Sequence, residues 1–138
     1  MIQKESRENS DSDRNNSYKG STIIKKNIKK VRDVSNFMRS SFGPMGMDKI
    51  IKEENEEITI TNDGATIMEK LKSRDQITSI IAELSRSQDE EVGDGTTGII
   101  LLAGNLLDHA EKLMEKGIHP TRIIEGFEHI ADSCLLHL

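Results

Sequence analysis

Several residue types are scarce in this chain of 138 residues, and each scarcity excludes something. A single cysteine, Cys134, allows no disulfide within the chain and fits a reducing compartment. Aromatic residues make up only 3%, so a core must be aliphatic. The chain has only two prolines, so few positions interrupt its many helix-forming residues. The N-terminus has no apolar segment of the secretory type, and the longest apolar run, 99–107, is too short to span a bilayer. We therefore expect a mostly helical domain and no membrane partner.

Charge is abundant but balanced, with 31% charged residues and a formal net charge of −5. Basic residues cluster between Lys25 and Arg32, where they lie largely outside an apolar stripe. Such a cluster can contact nucleic acid, but no aromatic residues are interleaved with it and the chain is acidic overall. We expect a solvated helix face and no nucleic-acid partner.

The hydrophobic pattern predicts a mainly α fold with one small β-hairpin. Residues 1–20 are polar and are expected to be disordered. A helix with an apolar stripe follows from residue 21 and ends before Gly43 and Pro44. The remaining predicted elements are a hairpin of 49–52 and 58–61 with an exposed acidic tip, a helix 64–71 capped by Asp63, and helices 77–91, 96–116 and from Pro120 onward.

The last two helices carry the most apolar residues. Helix 96–116 is apolar on most sides, which predicts burial, and Gly117 is expected to end it. Cys134 lies on the apolar stripe of the final helix and is expected in the core. There are two alternatives for Leu135, Leu136 and Leu138. They pack inside this small domain, or the chain is a piece of a larger protein.

The sequence "GDGTTG" contains Gly93, Gly95 and Gly98 in the spacing G-x-G-x-x-G. A dinucleotide fingerprint requires a preceding strand and an acidic residue at the end of a second strand. Here the preceding segment has helical periodicity, and the acids at a suitable distance, Glu111 and Glu115, lie on the following helix. A Walker A loop is excluded too, because no G-K-S/T follows.

Another kind of phosphate cradle remains open. Gly93 and Gly95 would let backbone N–H groups approach an anion, and Thr96 and Thr97 begin a long helix whose dipole favours phosphate. Asp94 would repel phosphate alone but suits a Mg²⁺ ion that bridges phosphate oxygens. The alternative is a simple turn in which Thr96 or Asp94 only caps the helix. The turns "GPMG" and "TNDG" could converge on the same ligand, or each could be only a turn.

Four stretches together resemble the group II chaperonins, the family of the cytosolic chaperonin TRiC/CCT. They are "SSFGPMGMDKII", "ITITNDGATIMEKL", "ELSRSQDEEVGDGTTG" and "LLDHAEKLMEKGIHPTRIIEGF". The likeness runs from about Ser21 to Leu138 and corresponds to the N-terminal part of the equatorial domain. The resemblance implies an ATP-dependent, Mg²⁺-dependent protein-folding machine of two stacked rings in the cytoplasm. Its partners would be other chaperonin subunits in a hetero-oligomer and unfolded client proteins.

The resemblance also implies roles for individual residues. Gly43 and Pro44 would lie at the nucleotide, Asp94 would hold Mg²⁺, and Asp63 would position the attacking water as a catalytic residue. The remaining nucleotide-binding residues would be Gly64, Gly95, Thr96, Thr97 and Gly98. The hairpin at about 49–61 would be the family's stem loop, which pairs with a neighbouring subunit.

The resemblance has limits. The intermediate and apical domains, which would contact clients, have no counterpart here. The second half of the equatorial domain, which supplies the family's catalytic aspartate and part of the base pocket, has none either. Residues 1–20 do not resemble the usual N-terminal strand. This chain alone would thus carry half an ATP site and be inactive by itself. The alternative is a free-standing module that interacts with chaperonin rings without hydrolysing ATP.

Overall fold

The computed structural model describes residues 2–53, 56–71 and 75–138, with side chains described for Gly20 and from Thr22 onward. In these residues there are five helices and one antiparallel hairpin. The elements are α1 (Ile2–Arg39), β1 (Lys49–Lys52), β2 (Ile58–Thr61), α2 (Gly64–Leu71), α3 (Gln76–Val92), α4 (Thr96–Glu115) and α5 (Pro120–Leu136). The predicted class, mainly α with a small β-hairpin, is confirmed.

The core lies where α1, α3 and α4 meet above α2 and the hairpin. Met38, Ile67, Met68 and Ile100 are completely buried there. A β-carbon on Gly104 would clash with the Oγ and Cβ atoms of Ser35, so α4 needs glycine where it passes this residue of α1. The aliphatic core expected from the scarcity of aromatic residues is present.

The long helix α1 differs from the prediction for the N-terminus. Its backbone is helical from Ile2, whereas residues 1–20 were expected to be disordered. The segment from Ser21 onward carries buried residues such as Ile28 and Val31, which fix the helix against α3 and α4. Extending a formed helix requires no new nucleus, so the polar residues ahead of it can continue the same helical backbone.

The basic residues of α1 are only partly solvated. Lys25 Nζ lies 3.1 Å from Glu115 Oε1, Lys30 Nζ lies 3.4 Å from Asp75 Oδ1, and Arg32 forms ion pairs with both Asp108 and Glu111. The hydrogen bond with Glu111 is the main factor that raises the pKa of Arg32, despite partial desolvation. The predicted solvated face thus docks in part on acidic residues of the neighbouring helices.

The hairpin matches the predicted strands residue for residue. Lys49 pairs with Thr61 and Lys52 with Ile58 in antiparallel register. Ile51 points into the core, whereas Ile50, Ile58 and Ile60 are more than 60% exposed on the opposite face. The predicted acidic tip includes residues 54 and 55, which lie outside the described residues.

Two predictions of burial are wrong. Leu102 and Leu106 are 52% and 41% exposed, because α1 and α3 cover only part of the circumference of α4. Cys134 is exposed rather than in the core. Helix α5 packs on α4 through buried Ile123 near its start, and Leu135, Leu136 and Leu138 are 73% or more exposed.

Candidate functional site

The loop between α3 and α4 is shaped by two left-handed glycines. Gly93 has a φ of 75° and donates its N–H to Asp89 O at 2.9 Å, which ends α3. Gly95 has a φ of 78° and is the N-cap of α4. Residues with a β-carbon are strained in this region of φ, so both positions need glycine. The chain can therefore turn from one helix into the next within three residues.

The N-terminus of α4 begins at a glycine N-cap, and the carboxylate of the preceding residue, Asp94, is bonded beside it. Gly95, as N-cap, makes no side-chain hydrogen bond, and its carbonyl accepts the first helical bond from Ile99 N at 3.0 Å. The first N–H groups of a helix have no partner within the helix and carry partial positive charge. Asp94 is exposed, and its Oδ1 accepts the N–H of Gly95 at 2.6 Å. The Asp94 carboxylate thus closes a local bond with the N-cap residue, which both the simple turn and the phosphate cradle allow.

The "TNDG" turn packs against the start of α4. A β-carbon on Gly64 would lie 2.6 Å from Thr97 Oγ1, 2.8 Å from Thr97 N and 2.9 Å from Thr96 Oγ1. Both threonines are 7% exposed, so their hydroxyls face this turn rather than open solvent. Glycine at position 64 is required by this close approach.

Asp63 caps α2, as predicted. Its Oδ2 accepts the N–H of Thr66 at 2.8 Å, and its own N–H donates to Thr61 Oγ1 at 3.1 Å. Desolvation pushes the pKa of Asp63 upward, but hydrogen bonds from Thr66 and Ala65 outweigh it and leave the pKa below its ordinary value. The carboxylate therefore stays ionised at neutral pH.

Asp63 also borders a polar cavity of about 180 Å³ between α2 and α3. Arg86 and Asp89 line its other side, and Asp89 is the residue that accepts the N–H of Gly93. The cavity thus extends from the Asp63 turn toward the end of α3 where the glycine loop begins.

The "GPMG" turn approaches the same region. Gly43 has a φ of 85°, and the N–H of Gly46 donates to its carbonyl at 2.9 Å, closing a turn with Pro44 inside it. Phe42, which precedes this turn, lies with its Cε2 3.7 Å from the place of a β-carbon on Gly98. Gly43 and Pro44 are exposed beside this contact.

The structure therefore brings three glycine turns to the N-terminus of α4. Gly64 packs on Thr96 and Thr97, and Phe42, the residue before the "GPMG" turn, lies near Gly98. Asp94 and Gly95 lie between α3 and α4 within the loop itself.

One residue of the loop's surroundings was missed. The Gln88 side chain donates from Nε2 to Asp94 O at 2.9 Å and lies 3.5 Å from the place of a β-carbon on Gly95. A glutamine among acidic residues near the end of a helix gives no signal of such a contact, because it could equally face solvent.

Residues 34–138 match the TCP-1/cpn60 chaperonin family. The chain belongs to this family. A mainly α fold with a short hairpin fits a partial equatorial domain of a group II chaperonin, as expected from the sequence motifs.

Individual relatives agree with this assignment. The T-complex protein 1 subunit epsilon of Encephalitozoon cuniculi (strain GB-M1) is 47% identical over 86% of the chain. The T-complex protein 1 subunits delta of Ochlerotatus triseriatus and Takifugu rubripes are 47% and 45% identical over 80% and 77%. These alignments cover 22%, 21% and 20% of the relatives, so the chain spans about a fifth of their length.

The comparisons support epsilon and delta equally. Gly98 after "GDGTT" and the stretch "KGIHPTRIIEGFE" suggest the epsilon subunit, and an epsilon subunit is among these relatives. Among the described helices, none combines the length and apolarity needed to cross a bilayer.

Proposed function

We propose that this chain is the N-terminal equatorial part of a chaperonin subunit that binds Mg-ATP and drives protein folding. The observation that supports it most directly is the convergence of three glycine turns on the N-terminus of α4, where no side chain of the N-cap residue binds the helix. A helix N-terminus with a glycine-rich approach favours phosphate. Family membership supports the same function.

The phosphates would be held mainly by backbone groups. Gly95, Thr96, Thr97 and Gly98 supply the N–H groups at the start of α4. The Gly95 N–H donates to the carboxylate of the adjacent residue, Asp94, and a bound phosphate oxygen would take the place of this carboxylate. The threonine hydroxyls face Gly64, so this turn would lie beside the phosphates rather than away from them. Gly43 and Pro44 would approach the nucleotide from the other side of Gly98.

Asp94 would hold the magnesium ion. In the described part of the chain, no three His, Cys, Asp or Glu side chains are arranged to hold a metal ion. One exposed carboxylate still fits Mg²⁺, which binds through one or two carboxylates together with phosphate oxygens and water. The ion would neutralise charge on the phosphates during transfer to water.

Asp63 would position the attacking water. Its carboxylate is ionised and borders the polar cavity beside the turn that contacts Thr97. The ability to accept a hydrogen bond from water is what such a role requires. The capping bond to Thr66 fixes this carboxylate in one orientation.

The proposed setting is the cytosolic double ring. Ring partners would be other chaperonin subunits, and the hairpin would pair with a neighbour, since its outer face exposes Ile50, Ile58 and Ile60. Unfolded clients would contact domains of the complete subunit outside this chain.

The test is Asp94→Ala in the assembled ring. Because other subunits hydrolyse ATP too, the measurement is azido-ATP photolabelling of this chain with and without Mg²⁺, together with turnover at this subunit. We expect the variant to lose the Mg²⁺ dependence of labelling and to hydrolyse ATP at least about a hundredfold more slowly. Asp132→Ala, at an exposed position on α5, is the matched control and should behave like the wild type. Undiminished Mg²⁺-dependent labelling in Asp94→Ala would contradict the assignment.

A further inference from the structure

The peptide between Asp94 and Gly95 can rotate more freely than most peptides. Its orientation is set by ψ of Asp94 and φ of Gly95, and Gly95, which has a left-handed backbone, has no β-carbon to limit its rotation. The plane of this peptide could therefore take several orientations. In the structure its two polar ends are both engaged, at Asp94 O and at Gly95 N.

Gln88 fixes one of those ends. Its Nε2 donates to Asp94 O at 2.9 Å from the last turns of α3, and its side chain is half-buried. A trans peptide is planar, with the C=O and N–H pointing in opposite directions. Holding the carbonyl of Asp94 toward α3 therefore directs the N–H of Gly95 away from α3, where it donates to the Oδ1 of Asp94 itself at 2.6 Å.

We infer that Gln88 is a positioning residue that aims the Gly95 N–H at the bound phosphate. The inference rests on the proposed function, since it assigns Gln88 a role in the same phosphate site. Gln88 itself would not touch the nucleotide. Its contribution is to select one orientation of the Asp94–Gly95 peptide before the nucleotide arrives.

Two substitutions separate this role from general packing. Gln88→Met keeps the length of the side chain and the helix propensity but removes the donor. Gln88→Glu keeps the shape but places a carboxylate against the carbonyl of Asp94, which favours the opposite orientation of the peptide. Gln76→Met and Gln76→Glu make the same changes at an exposed position at the start of α3 and serve as controls.

The experiment is competition of azido-ATP photolabelling of this chain, in the assembly that it forms, by unlabelled Mg-ATP and by adenosine. One lost hydrogen bond corresponds to a loss of about three- to tenfold in Mg-ATP affinity for Gln88→Met. Gln88→Glu should lose more. Adenosine, which has no phosphate, should compete equally well with the wild type, both Gln88 variants and the Gln76 controls.

The outcomes are distinguishable. If the Gln88 variants lose affinity for Mg-ATP but not for adenosine, the inference is supported. Unchanged affinity for Mg-ATP, or an equal loss of affinity for adenosine, overturns it. If the wild-type chain is not labelled at all, the proposed function fails and the inference fails with it. Labelling of the wild type with identical competition in Gln88→Met overturns only the inference.

Discussion

The N-termini of α3 and α4 differ in how their first N–H groups are capped. At α3, the Asp75 carboxylate accepts the N–H groups of Ile77 and Thr78 at 2.8 and 3.1 Å. At α4, the N-cap is Gly95, which has no side chain to accept. At α3 a carboxylate binds the first N–H groups of the helix, whereas at α4 the Asp94 carboxylate binds the N–H of the N-cap residue Gly95 and glycine turns border the helix.

This difference indicates why the two ends suit different purposes. A carboxylate cap stabilises a helix but fills the place that an incoming anion would take. A glycine N-cap gives up that stabilisation and places no carboxylate of its own on the first N–H groups, which a phosphate could then accept from. The packing of Gly64 against Thr97 then fixes the end of α4 from outside.

We expect the largest effect from a substitution that adds a β-carbon against the start of α4. A β-carbon in Gly64→Ala would lie 2.8 Å from the backbone N of Thr97, which cannot rotate away as a side chain can. We expect a loss of about 2 kcal/mol in the free energy of unfolding. Urea unfolding monitored by circular dichroism measures this, and Mg-ATP affinity should fall too because the first turn of α4 shifts.

The matched control for this variant is Gly126→Ala on α5. No heavy atom lies within 4 Å of a β-carbon at Gly126, so alanine should be neutral or stabilise the helix by about 0.5–1 kcal/mol. Equal unfolding midpoints for Gly64→Ala and Gly126→Ala would show that the contact with Thr97 is not tight in solution.

A smaller effect is expected from removing the charge at the start of α3. Hydrogen bonds from the Thr78 backbone, its hydroxyl and the Ile77 N–H outweigh desolvation, and with Lys30 nearby they hold the pKa of Asp75 below its ordinary value. A carboxyl with a lowered folded pKa adds stability above the unfolded pKa of about 3.9, and this stability is lost as the pH falls through the folded value. Asparagine caps helices equally well but does not titrate.

Asp75→Asn should therefore flatten the loss of stability between neutral and acidic pH. Urea midpoints measured from pH 7 to pH 3 test this, with Asp132→Asn, at an exposed position on α5, as the matched control. The prediction is contradicted if Asp75→Asn and the wild type lose stability in parallel as the pH falls.

The sequence predicted most elements because their signals are local. The strands 49–52 and 58–61 follow from β-branched residues around an acidic loop, and the start of α2 follows from Asp63 as a cap. Pro120 likewise marks the start of α5, as predicted. The position of the glycine loop between two helices also followed from helical periodicity on both sides.

The remaining features depend on neighbours that a local pattern does not contain. The exposure of Leu102 and Cys134 is decided by how much of α4 and α5 the other helices cover. The contacts of Gly64 with Thr97 and of Gln88 with Asp94 join residues of separate elements. The spacing of these residues in the chain does not tell which way their side chains point. The convergence of the turns could therefore be seen only in the structure.

Amide hydrogen exchange of the assembled protein, with and without saturating Mg-ATP, tests the central claim most directly. It compares the first turns of α3 and α4 in the same molecule. The account predicts that Mg-ATP slows exchange at residues 95–98, whereas the N–H groups of Ile77 and Thr78, already bonded to Asp75, keep their rates. Unchanged exchange at residues 95–98 under saturating Mg-ATP would contradict a phosphate site at the start of α4.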